Sequence, residues 1–415
     1  MEKETSSVTK RGTVLSYVPD YEIKPAKVNL DIKLVPFIPF GSDNLFPQAT
    51  ALFSRSSPVH RGVINSKCHY FLGDGLTTDD KKLETEIENI NFEGEHLNDV
   101  ASRYFLDRAM GGNGWIEIIT DAAKSFLWFN HIDYTKVRLS KEPGEVFIHP
   151  NWSAYKGMGD VDMIPMSLYP KFTAAVNEYG AKVLRSIIHV KDYEPEFFYY
   201  GVPGWICGKD SVLIDLKTNK WNLARLKNAF HTSGFLIVPV KDANEGKEVI
   251  DYIEKEHTGE GNQAKLMVLT KSRAQEGEKA DATQFIKTEQ KDDGSWEQLH
   301  TQSLTDILIA HGWFRSLCSL PDNTGFDTHR ILNEYAVAQK TIIRGEQKTF
   351  TSVIQRIYRE QQRREIELAF INTPPVDDDS YMYVWEVREK RGLDFDPNDE
   401  QQQKLIIPQG YGTGK

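Results

Sequence analysis

Between Lys209 and Phe230, the apolar residues Val212, Leu216, Leu223, Leu226 and Phe230 recur at helical intervals, with lysines, Asp215 and Arg225 on other positions. That spacing predicts one long helix with a single buried stripe. The helix can begin only beyond Pro203 and Gly204, and Ser233–Gly234 breaks it. Upstream, Ile187, Ile188 and Val190 predict a strand end, followed by an aromatic loop, EPEFFYY (194–200), that a GVPG turn closes. A second helix is predicted from about Ser295, where Trp296, Leu299, Leu304, Ile307, Leu308 and His311 fall mostly on one face. Asp292 and Asp293 are available to cap it. Between the two helices lie FLIVPV (235–240), a charged helical stretch from Ala243 to His257, and the strands LMVLT (266–270) and TQFIKTE (283–289) around a polar loop. These make a small β-α-β-β module bracketed by helices. The proline in FLIVPV predicts an edge or terminal place in its sheet.

The same reading extends to both flanks. Residues 1–40 are a polar lead ending in the extended IKLVPFIPF, and GSDNLFPQ then makes a loop with turn-forming Asp43 and Asn44. Ala49 to about Phe71 reads as a helix interrupted near Pro58, with Val59, Val63, Ile64 and Tyr70 apolar and a GDGL turn at its end. Leu97–Met110 is another helix, followed by Gly111, Gly112 and Gly114, and then by the strands WIEIIT (115–120), FLWFNHID and KVRLS. Beyond the second long helix, Ser319–Thr328 is a polar break containing Pro321, Asn323 and Gly325. A long helix then runs from about His329 toward Phe370, with a bend at Gly345 and Pro374–Pro375 as its stop. YMYVWEV (381–387) alternates like a strand before a polar tail. The fold class is α+β, with no internal repeat.

At 415 residues, 40% hydrophobic and 11% aromatic, the chain can bury more than one core and suggests two to four modules. Its net charge of −10 argues against gripping nucleic acid by general attraction, though not against surrounding it. Cys68, Cys207 and Cys318 are scattered and in no metal-ligand spacing, which reads as reduced thiols of a cytoplasmic fold. The start MEKETSSVTKRG lacks an apolar core, so no signal peptide is expected, and no apolar run reaches the roughly 20 residues of a membrane span.

Catalytic chemistry is hard to place. His60, His69 and His96 form no H-x-x-x-H or Cys/His cluster and read as surface or satisfied helical histidines. GDGL and GGNG lack the Gly-Lys-Ser/Thr of a Walker A loop and the G-x-G-x-x-G order before a helix. Asp377–Asp379 and Asp292–Asp293 sit in a polar linker and at a helix start, where solvated turns explain them better than a two-metal site. No G-x-S-x-G elbow occurs. No catalytic, cofactor-binding or metal-binding residue is therefore assigned. Trp205, Trp221 and Trp296 read as packing anchors.

The order of these elements resembles the portal proteins of tailed bacteriophages, in their short siphophage form, over roughly residues 40–370. SPVHRGVIN (57–65) is similar to the family's early Ser-Pro helix, and GGNGWIEII (111–119) to its Gly-Asn-aromatic strand. YYGVPGW (199–205) resembles the turn that opens its stem, and NAFHTSGFL (228–236) the exit into its clip. LIAHGWFRSLCSL (308–320) resembles the helix end before the channel segment, but Trp313, Phe314 and Arg315 stand where a Phe-Gly-x-Pro pattern is usual.

The resemblance implies a flexible arm (1–40), a wing (41–208), stem helices (209–232 and 292–318) around a clip (233–291), a tunnel loop (319–328), a long wing helix (329–373) and a C-terminal strand and tail (374–415). It implies a homo-oligomeric ring, commonly of twelve subunits, at one capsid vertex of the virion, assembled in the host bacterial cytoplasm. DNA is packaged and ejected through its axis, and terminase large subunit, head-to-tail connector and major capsid protein are its partners, with no membrane. Lys271, Ser272, Arg273, Gln275, Glu276, Glu278, Lys279 and Asp281 would then carry partner binding on the clip. Ser319, Pro321, Asp322, Asn323, Thr324, Gly325 and Asp327 would border double-stranded DNA in the channel. An acidic ring suits a conduit that must not hold its cargo. The rival readings are a capsid or tail adaptor without a conduit role and a metal-dependent nucleic-acid-processing enzyme.

Overall fold

The structure is a computed structural model that describes residues 35–157, 159–177, 180–227, 235–240, 247–248, 267–272, 284–286, 295–318, 327–376, 383–394 and 396–404. The predicted helix at 243–257 lies outside them except for Lys247 and Glu248, as do the aspartates at 292–293 and 377–379. The fold is α+β. In chain order the elements begin with α1 (Phe46–Ser56), α2 (Pro58–Leu72), β1 (Leu76–Thr77), α3 (Lys81–Glu88), α4 (Leu97–Gly111), β2 (Asn113–Thr120), β3 (Trp128–Ile132) and β4 (Val137–Leu139). They continue with β5 (Glu145–Ile148), β6 (Ile164–Ser167), β7 (Thr173–Val176), β8 (Lys182–Lys191), α5 (Lys209–Lys227), β9 (Phe235–Val240), β10 (Met267–Ser272) and β11 (Gln284–Ile286). The last are α6 (Ser295–His311), α7 (Thr328–Ala338), α8 (Arg344–Gln362), β12 (Ala369–Phe370) and α9 (Val384–Lys390). No helix among the described residues is long and apolar enough to cross a membrane.

Two compact units divide the chain: residues 1–55, 71–203 and 346–371 form one, and 56–70, 204–345 and 372–415 the other. The first contains an antiparallel sheet of order β3-β2-β8-β7, a second sheet β4-β5-β6, and a short β1–β12 pair. β2 is covered on both faces, with Trp115, Ile116, Glu117 and Ile118 all buried, because α4 packs against the sheet. Next to it Phe71, Tyr104, Phe105, Phe350 and Phe370 form one aromatic cluster with ring centroids 5.2–6.0 Å apart. Two buried guanidiniums cross this unit. Arg108 reaches Glu346 through two hydrogen bonds of 3.0 and 3.1 Å and lies 2.6 Å from Asp192. Arg138 has no carboxylate against it in this network and donates to the carbonyls of Asn44, Thr135 and Val137 and to the side-chain oxygens of Asn44 and Gln48. Burial pulls its pKa down to about 10.

Several expectations change. The predicted 329–373 helix is α7 and α8 joined by a π-helical turn at Gln339–Ile343, so the irregularity precedes Gly345. Neither proline stops it: α8 ends at Gln362, where Arg363 turns left-handed (φ 57°) and Arg364 is held by Asp80 and Glu86. YMYVWEV is no strand from Val384 onward; it opens α9, whose first turn is capped by Glu386 accepting from the Tyr383 N–H at 2.7 Å. Alternation over seven residues carried the strand reading, and a cap at Tyr383 overrode it.

Candidate functional site

The bracketing helices α5 and α6 do pair within the second unit. Val212 and Leu216 are buried on α5, and Ile307 and Leu308 on α6. The two helices come so close at one end that a Cβ on Gly208 would lie 2.5 Å from that of Ala310. Ser211 faces Asp306 at 3.5 Å, and buried Asp215 meets His300 Nε2 at 3.1 Å, which fixes an antiparallel register. The stripe predicted from periodicity holds at Val212 and Leu216 and fails at Leu223. Leu223 is 52% exposed, as are Leu299 (39%) and Ile309 (71%), while the side chains of Leu226, Trp221 and Trp296 and all of Phe230 lie outside the described residues.

α6 ends in a Schellman motif: Gly312 is left-handed (φ 57°), its N–H bonds Ile309 O at 2.9 Å, and Trp313 N–H bonds Leu308 O at 3.0 Å. No proline is needed to stop the helix, which accounts for the departure from the Phe-Gly-x-Pro pattern. Trp313 then donates to Ser66 Oγ, which donates to Leu317 O at 2.6 Å. At the same end His60 Nδ1 and His311 Nε2 share a 2.8 Å hydrogen bond with Trp205 against both rings. His60 is thus neither a surface residue nor fully satisfied, since its buried Nε2 has no hydrogen-bond partner. Burial drives its pKa down to about 3 and that of His311 well below the usual value. His69 is exposed, and His96 caps α4 by accepting from the Asn98 N–H.

Two of the glycine-rich stretches meet in the first unit. Asn113, fully buried, donates to Gly111 O and Gly201 O at 2.7 and 2.9 Å and accepts from the Gly201 N–H at 2.7 Å; its Oδ1 also meets His189 Nε2 at 2.9 Å. A Cβ on Gly201 would lie 2.2 Å from Gly112 O, and one on Gly114 2.3 Å from the Tyr104 ring. GGNG and GVPG are therefore a backbone crossing locked by one amide, not a phosphate cradle.

The small module is a three-stranded sheet of order β10-β9-β11, parallel on one side of β9 and antiparallel on the other. β9 is central rather than at the edge. Its Pro239 is tolerated because β11 pairs only with Phe235–Ile237 and leaves Pro239 unpaired on that side. Lys271 and Ser272, expected in the loop, extend β10 opposite Pro239 and Val240. Arg273, Gln275, Glu276, Glu278, Lys279 and Asp281 lie outside the described residues, as do Ser319, Pro321, Asp322, Asn323, Thr324 and Gly325. Asp327 is described: it N-caps α7, accepting from the Arg330 N–H at 3.2 Å.

Among the described residues one trio, His149, Asp160 and Asp162, has ligand atoms close enough for a metal ion. His149 Nδ1 accepts the Asn151 N–H at 3.0 Å, so the neutral ring keeps its proton on Nε2, 3.3 Å from Asp160. The ring's one lone pair is thus taken by the Asn151 N–H and not by a metal. Asp160 also accepts the N–H groups of Lys156 and Asp162, and these bonds hold its pKa below the usual carboxylate value. The trio ties a turn.

No protein-family model matches this chain, and no curated protein does. Solved structures do. A chain in the virion of a native gene transfer agent particle superposes with a TM-score of 0.52 at 13% identity, covering 84% of this chain and 94% of that one. A chain in the neck of the empty particle, computed with C6 symmetry, gives 0.51 at 13% identity with the same coverage. A chain in the neck of the native particle, computed with C12 symmetry, gives 0.50 at 14% identity, covering 84% and 95%. At such identities the likeness is one of fold.

Proposed function

We propose that this chain is the portal protein of a tailed-phage-like particle, a ring at one capsid vertex through which DNA is packaged and released. The observation that carries the reading is the α5–α6 pair around a small sheet, in a fold shared over most of its length with chains from a phage-like particle and its neck. In this reading α5 and α6 are the stem, β9–β11 belong to the clip, and residues 319–328 form the channel loop, whose Asp327 and Thr328 open α7. Leu223, Leu299 and Ile309, exposed in the single chain, become buried when neighbours close the ring. The C12 symmetry of the neck structure favours twelve subunits. The protein works as a conduit and docking platform for terminase, connector and major capsid protein, without enzymatic turnover.

End-on electron-microscopy projections of the purified full-length protein test this. Closed rings with a central hole are expected. Particles without a hole at any salt or protein concentration would favour the adaptor reading instead, and metal-dependent DNA cleavage lost on changing one carboxylate would favour the enzyme.

A further inference from the structure

α5 and α6 carry different charge on the faces they do not share. Lys209, Leu213, Lys217 and Lys220 follow one another at four, four and three residues, a single stripe along α5. At roughly 100° per residue it is turned about a quarter of the way round from Val212 and Leu216. Lys217 is exposed, and Lys209, Leu213 and Lys220 are half-buried. α6 contains no lysine or arginine. Its exposed face presents Gln298, Thr301, Gln302, Thr305 and Ile309, and Glu297 and Asp306 border a shallow groove of about 660 Å³ along it.

We infer that the lysine stripe of α5 docks onto this cation-free face of α6 in a second copy of the chain, head to tail. The inference rests on the ring reading above and assigns the surfaces that would close it. Two distinct faces on one hairpin are what a heterologous contact needs, since each copy must offer both at once. The heights also agree. The pairings of Ser211 with Asp306 and of Asp215 with His300 put Lys209 within a turn of the level of Asp306, and Lys220 within a turn of Glu297. Rotation about an axis along the helices leaves height unchanged, so the neighbour's lysines arrive level with these acids. The side-chain oxygens of the uncharged glutamines and threonines between the acids accept hydrogen bonds from the ammonium groups without a repelling charge.

Charge reversal in the full-length chain tests the assignment, read by native mass spectrometry at micromolar protein and low salt. Lys217→Glu with Lys220→Glu should convert rings to monomers whose melting is unchanged. Adding Glu297→Lys and Thr301→Lys to that variant should restore rings, and raising salt should weaken the wild-type ring. Intact rings in the lysine variant would overturn the inference while leaving the ring reading standing. Intact rings with altered retention of a DNA duplex would overturn it too, placing the stripe beside nucleic acid. So would monomers that the compensating pair does not rescue. A wild-type chain that forms no ring removes both this inference and the reading beneath it.

Discussion

Among the described residues, the two units differ in how many charges they bury. The first takes charges inside and pairs them: Arg108 with Glu346 and Asp192, Arg185 with Glu117, His131 with Asp107, and Arg138 with a ring of oxygens. The second buries the His60–His311 contact, whose rings burial keeps from taking up protons, beside the Asp215–His300 pair, and leaves apolar side chains on α5 and α6 open to solvent. Buried paired charges need fixed geometry on every side, so they suit a core complete within one chain. Open helix faces suit a region that finds part of its packing elsewhere. The first unit exposes large apolar side chains too, Val161, Tyr193 and Phe198 in its loops among them, whereas on α5 and α6 they lie on paired helices.

The sharpest way to break this comparison is one methyl group placed in each unit. Gly201→Ala puts a Cβ against backbone that cannot move, within 2.2 Å of Gly112 O and 2.8 Å of Asp192 N. The expected loss exceeds about 4 kcal/mol, at the extreme of single substitutions, and urea denaturation or the failure to recover folded protein will read it. A loss under 1 kcal/mol would mean the Asn113 crossing is not the rigid anchor described.

Acid gives the next largest effect. His60 and His311 in the second unit and His189 in the first all have pKa values lowered by burial, to about 3 for His60 and His189. Below the ordinary value of 6.5 the unfolded chain binds protons that the folded rings refuse. Stability is therefore intact above that value and falls as pH drops toward 3, by about 1.4 kcal/mol per pH unit for each ring. Two of the three rings touch in the second unit, so it should open first. Hydrogen exchange measured between pH 7 and 5 checks the order, and His311→Gln should lessen the slope in the second unit only.

The smallest of the three is the matching methyl in the second unit. A Cβ on Gly208 meets the Ala310 methyl at 2.5 Å, which one helix can relieve by sliding along the other. Gly208→Ala should cost about 1–3 kcal/mol as an overpacked contact. Its clearer signature is a shift in subunit number or ring yield, seen in particle images. A chain that unfolds as completely as Gly201→Ala would erase the distinction between the units.

Much of the helical framework was legible because its signals are local. Pro58 divides α1 from α2, and Val212, Leu216, Ile307 and Leu308 lie at the spacing that pairs two helices, whereas the second of these, drawn to residue 318, stops at His311. The candidate site was less legible. Lys271 and Ser272 read as loop because β-pairing extends a strand past its apolar residues, and the capping role of Asp327 was not legible because a cap looks like any acid in a polar break. His60 finds its partner 251 residues away, beyond the reach of any local pattern.

By itself the sequence determined the fold class, the two helices around a small sheet, and the net acidity, since periodicity, turn residues and charge are written residue by residue. Only the tertiary structure decided that GGNG and GVPG cross at Asn113, that Pro239 sits in a central strand, and that Leu223 of the α5 stripe stays exposed. Each of these depends on which distant segment arrives at a given backbone atom, and a one-dimensional pattern of polar and apolar positions holds no record of that arrival.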